Sequence, residues 1–212
     1  MRDFPVFSTE NGVGSLVFKE IPYSGNAYIK ILDASEPKAF LDECIEFCRV
    51  AGAKHILASG HSVLESYPFH TAIWKMTAQR SSLPETDGAL FPVTEKTSGQ
   101  WMQIYNDKMK NVPNTGYMSL RDMEQMIKTG DGYFVHKDGV ILGIGKASGD
   151  RIDVVISVVQ GAGQTVVAAL CHALSDEQVQ LEVASVNTKA IALYERLGFI
   201  RSCELSRWYQ VQ

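Results

Sequence analysis

The spacing of hydrophobic and polar positions predicts a mixed α/β protein in two parts. In the first part, segments rich in β-branched and aromatic residues predict four strands, at residues 15–22, 27–34, 54–60 and 70–79. Between the second and third strands, residues 35–52 carry apolar positions at helical spacing. Ser35 is placed to cap this helix, Pro37 suits its first turn, and Gly52 marks its end.

The segment 81–92 is rich in Ser, Pro, Gly and charged residues, and it predicts a boundary between two lobes. We therefore expect an N-terminal α/β lobe at residues 1–85 and a second domain at residues 90–212. The second domain should contain two helices, a three-stranded meander, a helix, a strand, a helix and a strand. These elements are expected at residues 101–112, 119–130, 132–159, 161–174, 180–186, 188–198 and 199–211. The alternation at the end is typical of crossover units.

Composition excludes several classes of function. The chain has 212 residues, of which 45% are hydrophobic and 21% charged, and its net charge is −4. No long basic run or stripe is present, so a nucleic-acid-binding surface is not expected. No run of 18 apolar residues indicates a membrane span, and the N-terminal segment lacks the apolar core of a signal peptide. We therefore expect a cytoplasmic protein that binds neither nucleic acid nor membrane.

The four cysteines do not indicate a metal site. Cys44 and Cys48 are one helical turn apart, but they lack the two-residue spacing of a zinc knuckle, and no His follows at ligand spacing. We interpret these residues as small buried thiols, and we expect no metal.

The segment from Val154 to Leu170 is the most informative part of the chain, because an apolar strand enters a Gly-rich turn and leaves as a helix. Gly161 and Gly163 allow close approach of a ligand to the backbone, and the amides of a helix N-terminus attract an anion. Three interpretations stay open at this point. A P-loop requires a Lys after Gly163, and a Rossmann turn requires a third Gly where Val166 stands. The third is a tight turn without a ligand.

A second segment, Asn187-Thr-Lys-Ala-Ile-Ala-Leu-Tyr-Glu-Arg-Leu-Gly-Phe199, resolves this choice. Together the two segments resemble the two diagnostic motifs of the GNAT superfamily of N-acetyltransferases. Gln160 and Gly163 match the first motif, with Thr165 where the superfamily prefers Gly or Ala. The second motif is matched throughout. The resemblance covers residues 90–212 and implies a GNAT-like central twisted sheet with flanking helices, alongside the smaller N-terminal lobe.

The resemblance also implies a function and a set of site residues. The chain is expected to bind acetyl-CoA as cosubstrate and to acetylate an amine by direct attack. Tyr194 is implied as the acid that assists the departing CoA thiolate, and a backbone N–H of the strand before the turn as the donor to the thioester carbonyl. The residues expected to bind the cofactor are Ile156, Ser157, Val158, Gln160, Gly161, Ala162, Gly163, Gln164, Thr165, Asn187 and Ala190.

The acceptor is expected to be a small-molecule amine or a peptide, and the sequence does not identify the base that receives its proton. Candidate bases are Asp131, His136, Asp153 and Glu182, and a chain of water molecules is an equal alternative. The N-terminal lobe repeats the order strand, helix, strand without a Gly-rich turn, so we interpret it as a degenerate half-copy. It could extend the sheet, cover the acceptor cleft or form a homodimer contact. The alternative function is a degenerate GNAT-fold module that binds acyl-CoA or a protein without catalysis.

Overall fold

The computed structural model describes residues 5–110 and 112–212. The first four residues of the predicted lobe, and Asn111 in the first predicted helix of the second domain, lie outside the described residues. The chain forms two compact units. The first contains the described residues up to Ile73 together with Glu204–Gln212, and the second is Trp74–Cys203.

The helices and strands are numbered in chain order. The strands are β1 (Val6–Thr9), β2 (Gly12–Val17), β3 (Asn26–Ala34), β4 (His55–Ser59), β5 (Phe69–Gln79), β6 (Ala89–Pro92), β7 (Gly132–Lys137), β8 (Val140–Ser148), β9 (Arg151–Ser157), β10 (Gln178–Ala184) and β11 (Ile200–Gln210). The α-helices are α1 (Ile21–Ser24), α2 (Pro37–Val50), α3 (Glu95–Met109), α4 (Leu120–Thr129), α5 (Gly163–His172) and α6 (Thr188–Arg196). Short 3₁₀ helices lie at Ser62–Ser66 and Arg80–Ser82.

In the first unit, α2 packs on a sheet in the order β1-β2-β3-β4, and the last residues of β11 pair with β4. The first three strands are antiparallel, whereas β3 and β4 are parallel and are joined by α2. The core consists of the apolar face of α2 against alternate residues of β3, such as Ile29 and Ile31. Phe40 lies deep in this core and has no exposed surface.

In the second unit, the strand order is β5-β10-β9-β8-β7-β6. One core cluster contains residues of α5 and α6, and another contains residues of α3 and α4. The spacing between α5 and the sheet is set by two glycines of β8. A Cβ on Gly143 would meet the side chain of Val166 at 2.7 Å, and one on Gly145 would overlap Leu170. Because neither position carries a side chain, α5 packs directly on the strands, close to the turn from which the helix begins.

The mixed α/β fold expected from the sequence is confirmed, with local differences. The predicted strand at residues 15–22 ends at Val17. Ile21–Ser24 form a helical turn with proline at its second position, and Gly25 ends it in the left-handed region. Ser35 does not cap α2; its hydroxyl donates to backbone carbonyls of the β1–β2 turn. The end of the predicted boundary segment, Ala89–Pro92, is strand β6, and α3 begins at Glu95 rather than at residue 101.

Candidate functional site

Strands β9 and β10 separate soon after they meet. Among the described residues they pair only at Arg151 with Gln180 and at Ile152 with Leu181, although each strand has seven residues. The parallel strands of the first unit behave differently, because all five residues of β4 pair with β3. A gap therefore opens between the C-terminal halves of β9 and β10.

The pairing of β9 with β8 determines which backbone groups face this gap. The N–H of Val158 donates to the carbonyl of Leu142 at 2.9 Å, and Ile156 lies opposite Ile144. In an antiparallel ladder, bonded and non-bonded pairs alternate. The backbone groups of Ile156 and Val158 are therefore turned towards β8, and those of Ser157 are turned towards the gap.

The predicted Gly-rich turn lies directly after β9 and leads into α5. Gly161 has φ of +85°, a conformation that other residues rarely adopt, and Ala162 is the N-cap of the helix. The first helical hydrogen bond is donated by the Val166 N–H to the Ala162 carbonyl at 3.0 Å. The N–H groups of the three preceding helical residues, from Gly163 onward, have no partner in the helix, as at any helix N-terminus. The turn thus presents a cluster of donors and the positive end of α5 to an anion.

Two close contacts fix this turn, which we call the cradle (Gln160–Thr165). A Cβ on Gly163 would lie 2.9 Å from the Leu193 side chain, so α6 packs against the first turn of α5. A Cβ on Gly88 would lie 2.8 Å from the methyl carbon of Thr165. The Thr165 methyl group is therefore accommodated against Gly88, outside the turn.

Asn187 and Ala190 connect β10 to α6. Asn187 is the N-cap of α6, and its side-chain oxygen accepts from the Ala190 N–H at 3.3 Å. This bond satisfies one of the free donors of α6. The side-chain NH₂ group of Asn187 makes no hydrogen bond within the described part of the chain, so it is available to a ligand at the end of β10.

Tyr194 is buried in the core cluster of α5 and α6, with 8% of its surface exposed. Its ring centroid lies 5.9 Å from that of Phe199. Burial, with a smaller effect of the nearby Cys171 thiol, raises the pKa of Tyr194 to about 12. The phenol is therefore protonated at neutral pH, and its hydroxyl makes no hydrogen bond to another described residue.

Three of the four candidate bases belong to a network of ion pairs. Lys146 lies 2.7 Å from Asp153 and 3.2 Å from Asp131, and Arg151 lies 2.6 Å from Asp153 and 3.1 Å from Glu182. Burial raises the pKa of Asp153, but the charges and hydrogen bonds of Lys146 and Arg151 outweigh this and bring the pKa below its usual value. A carboxylate held in this way is a weak proton acceptor.

Sequence reasoning gave no signal for a cavity of about 350 Å³ beside α6. Trp74 and the ion pair of Arg201 and Glu195, separated by 3.0 Å, are its largest side chains. The remaining lining residues are Ser185, Thr188, Ile191 and Ala192. Trp74 lies on β5, far from the other lining residues in sequence, so no single segment carries a motif for the cavity.

Two further properties bear on function. Across residues 5–110 and 112–212, no three His, Cys, Asp or Glu side chains are grouped so that they could hold a metal ion. No helix in those two ranges combines the length and apolar character required to cross a membrane.

The segment that forms this geometry matches a known protein family. Residues 159–199, which contain the cradle and all of α6, match the Acetyltransferase (GNAT) family. No curated protein sequence matches the chain.

Solved structures share the fold at low sequence identity. A functionally unknown conserved protein from Staphylococcus epidermidis has a TM-score of 0.64 and 11% identity, with coverage of 99% of this chain and 94% of that chain. A GCN5-related N-acetyltransferase from Kribbella flavida has a TM-score of 0.57 and 15% identity, with coverage of 99% and 90%. A tandem GNAT protein from the clavulanic acid biosynthesis pathway has a TM-score of 0.57 and 12% identity, with coverage of 94% and 78%. The sequence match and the shared fold together confirm the resemblance of this chain to the GNAT acetyltransferases and support a general acyltransferase function.

Proposed function

We propose that this protein transfers an acetyl group from acetyl-CoA to a primary amine of a small molecule or peptide. The observation that carries the proposal is the gap between β9 and β10, which opens beside the unpartnered amides of the α5 N-terminus. A thioester with a long arm and a diphosphate needs both features. The gap accommodates the arm, and the amides bind the diphosphate.

Donor binding follows from the backbone. The N–H groups of Gly161 and of the first turn of α5 bind the diphosphate, and the Thr165 hydroxyl adds a further donor. The pantetheine arm lies along β9 and takes the place of β10 as the hydrogen-bond partner of the Ser157 backbone groups. The side-chain NH₂ of Asn187 donates to an amide carbonyl of the arm.

The reaction requires one bond to form and one to break. The neutral amine attacks the thioester carbonyl, the C–N bond forms, and the carbonyl oxygen becomes an oxyanion. The Ser157 N–H stabilises this oxyanion, because it is the donor of β9 that faces the gap. The C–S bond then breaks, and the thiolate accepts a hydrogen bond from the Tyr194 hydroxyl.

An alkylammonium group, with a pKa of about 10, must lose one proton to become the attacking amine, and the nitrogen loses a second proton as the tetrahedral intermediate becomes the amide. Asp153 and Glu182 are engaged by Arg151, so we assign both protons to water and not to these carboxylates. The acceptor is therefore expected to react faster as pH rises towards its own pKa.

Titration calorimetry with acetyl-CoA tests donor binding. The substitution Gln164→Glu adds a carboxylate to the exposed first turn of α5 with almost no change in shape. Repulsion of the diphosphate should raise Kd by about tenfold. Gln125→Glu, on the exposed face of α4, is the matched control and should leave Kd unchanged. Absence of acetyl-CoA binding to the wild-type protein at millimolar concentration would refute the proposal.

A second candidate is a degenerate module that binds acyl-CoA without catalysis. It is favoured by the ion pairs that occupy Asp153 and Glu182 and by the burial of Tyr194. Release of CoA thiol in the presence of a panel of amines and peptides separates the two. Binding of acetyl-CoA without release from any amine would favour the module.

A further inference from the structure

The cradle contains no cationic side chain. From Val158 to Thr165 the residues are apolar, Gly, Gln or Thr, so no side chain of the cradle supplies a positive charge to the phosphates of a bound donor. Coenzyme A carries a diphosphate and a 3′-phosphate, and such groups are usually balanced by Lys or Arg as well as by amides. A cation from a neighbouring element is therefore expected at the same edge of the sheet.

Lys137 lies at this edge. Val135 pairs with Gly143 of β8, and Gly143 pairs with Ser157 at the end of β9. The C-terminal ends of β7 and β9 are therefore level with each other, on either side of β8. Lys137 is the last residue of β7 and follows Val135 by two positions, so it projects from the edge at which the cradle begins.

The ammonium group of Lys137 is paired with Asp87, and Asp87 also lies near the cradle. The next residue, Gly88, contacts the Thr165 methyl group in the first turn of α5. Because consecutive Cα atoms are about 3.8 Å apart, the backbone of Asp87 lies within about 8 Å of that methyl group. The segment is held in place by the buried Leu83 and by the Pro84 carbonyl, 3.2 Å from the His172 ring nitrogen.

The ion pair is weak enough to exchange partners. The side chains of Lys137 and Asp87 are 45% and 62% exposed, and exposed pairs of this kind contribute little to stability. The diphosphate as a whole, like the 3′-phosphate monoester, carries more negative charge than one carboxylate. It can therefore compete with Asp87 for the same ammonium group.

We propose that Lys137 exchanges Asp87 for a phosphate of the bound acyl donor, so that Asp87 competes with the donor and sets its affinity. This inference rests on the proposed binding of acetyl-CoA at the cradle. It assigns to Lys137 a contact with the donor and to Asp87 the role of a competitor, although neither residue lies in the motifs.

The test is calorimetric measurement of Kd for CoA and for dephospho-CoA with three variants and the wild-type protein. Lys137→Met retains the aliphatic stem and should raise Kd for CoA by about fivefold, as expected for one screened ion pair. Asp87→Asn should lower Kd by about two- to threefold, because Lys137 is released and a negative charge is removed. In the double variant the gain from Asp87→Asn should shrink, because part of it acts through Lys137.

The two ligands identify the phosphate. If Lys137→Met weakens CoA but not dephospho-CoA, Lys137 binds the 3′-phosphate; if it weakens both, Lys137 binds the diphosphate. Either result supports the exchange. Lys128→Met, an exposed lysine in the last turn of α4, is the matched control and should not change either Kd. The inference is overturned if Lys137→Met binds CoA as tightly as the wild-type protein. Failure of the wild-type protein to bind CoA would instead remove the proposed function and this inference together.

Discussion

Replacement of Tyr194 by Phe tests whether the phenol assists the leaving thiolate of the proposed reaction. The pKa of Tyr194 is raised to about 12, whereas a thiol has a pKa of about 8.5. Complete transfer of the phenol proton to the thiolate is therefore uphill by about 5 kcal/mol. A hydrogen bond from the neutral phenol to the developing charge contributes about 1.5–3 kcal/mol without this cost.

The expected result is a fall in kcat of about 10- to 100-fold for Tyr194→Phe, with Kd for acetyl-CoA unchanged within about twofold. The assay is release of CoA thiol at saturating acetyl-CoA and amine. Tyr209→Phe is the matched control, because Tyr209 is also 8% exposed but lies in the first unit. It should leave kcat unchanged.

The pH dependence gives a second criterion. Because the phenol of Tyr194 stays protonated up to about pH 12, its ionisation should produce no fall in kcat between pH 7 and pH 10. A descending limb near pH 9 that disappears in Tyr194→Phe would show that the phenol ionises in the working range. Equal turnover by the variant and the wild-type protein would remove Tyr194 from the reaction.

Four substitutions test other parts of the structure by chemical unfolding. Gly143→Val should lower the free energy of unfolding by about 1–3 kcal/mol, because its side chain would overlap the backbone of β9; an unchanged value would contradict the packing of α5. Gly99→Ala, in the open middle of α3, should raise it by about 0.5–1 kcal/mol, and destabilisation would contradict the free space there. Asn187→Ala should cost about 1 kcal/mol through loss of the α6 cap, and a neutral result would show that the cap bond is not formed. The pKa of Asp153 is lowered, so its contribution to the free energy of unfolding is present above about pH 4 and is lost as pH falls below that value. Asp153→Asn should therefore be less stable than the wild-type protein at pH 7 and should lose less stability between pH 5 and pH 3. Parallel plots of stability against pH for the two proteins would exclude pairing with Lys146.

Much of the second unit could be predicted because its signals are local. The turn that closes the β7–β8 hairpin has Asp138 and Gly139 as its two central residues, and both have positive φ. Gly161 of the predicted Gly-rich turn adopts the left-handed conformation, and Asn187, just before α6, is the N-cap of that helix. In each case the residue type is selected by the backbone of its own segment, so one sequence is sufficient to find it.

The remaining features depend on partners that are distant in sequence. The separation of β9 from β10 has no local signature, since an apolar strand has the same composition whether or not its neighbour stays paired. The backbone groups of Ile156, Ser157 and Val158 could not be told apart until the register with β8 was known. Strand β6 could not be predicted, because its segment has the composition of a linker and becomes a strand only by pairing with β7.

The two glycines of β8 have a consequence for how the proposed activity is lost or altered. Since α5 lies directly on Gly143 and Gly145, the height of that helix above the strands determines where its first amides point. A methyl group added beneath the helix would displace the first turn of α5, at which we propose that the diphosphate binds, with every motif residue intact. We therefore expect variants that keep both motifs but carry larger residues at Gly143 and Gly145 to be inactive.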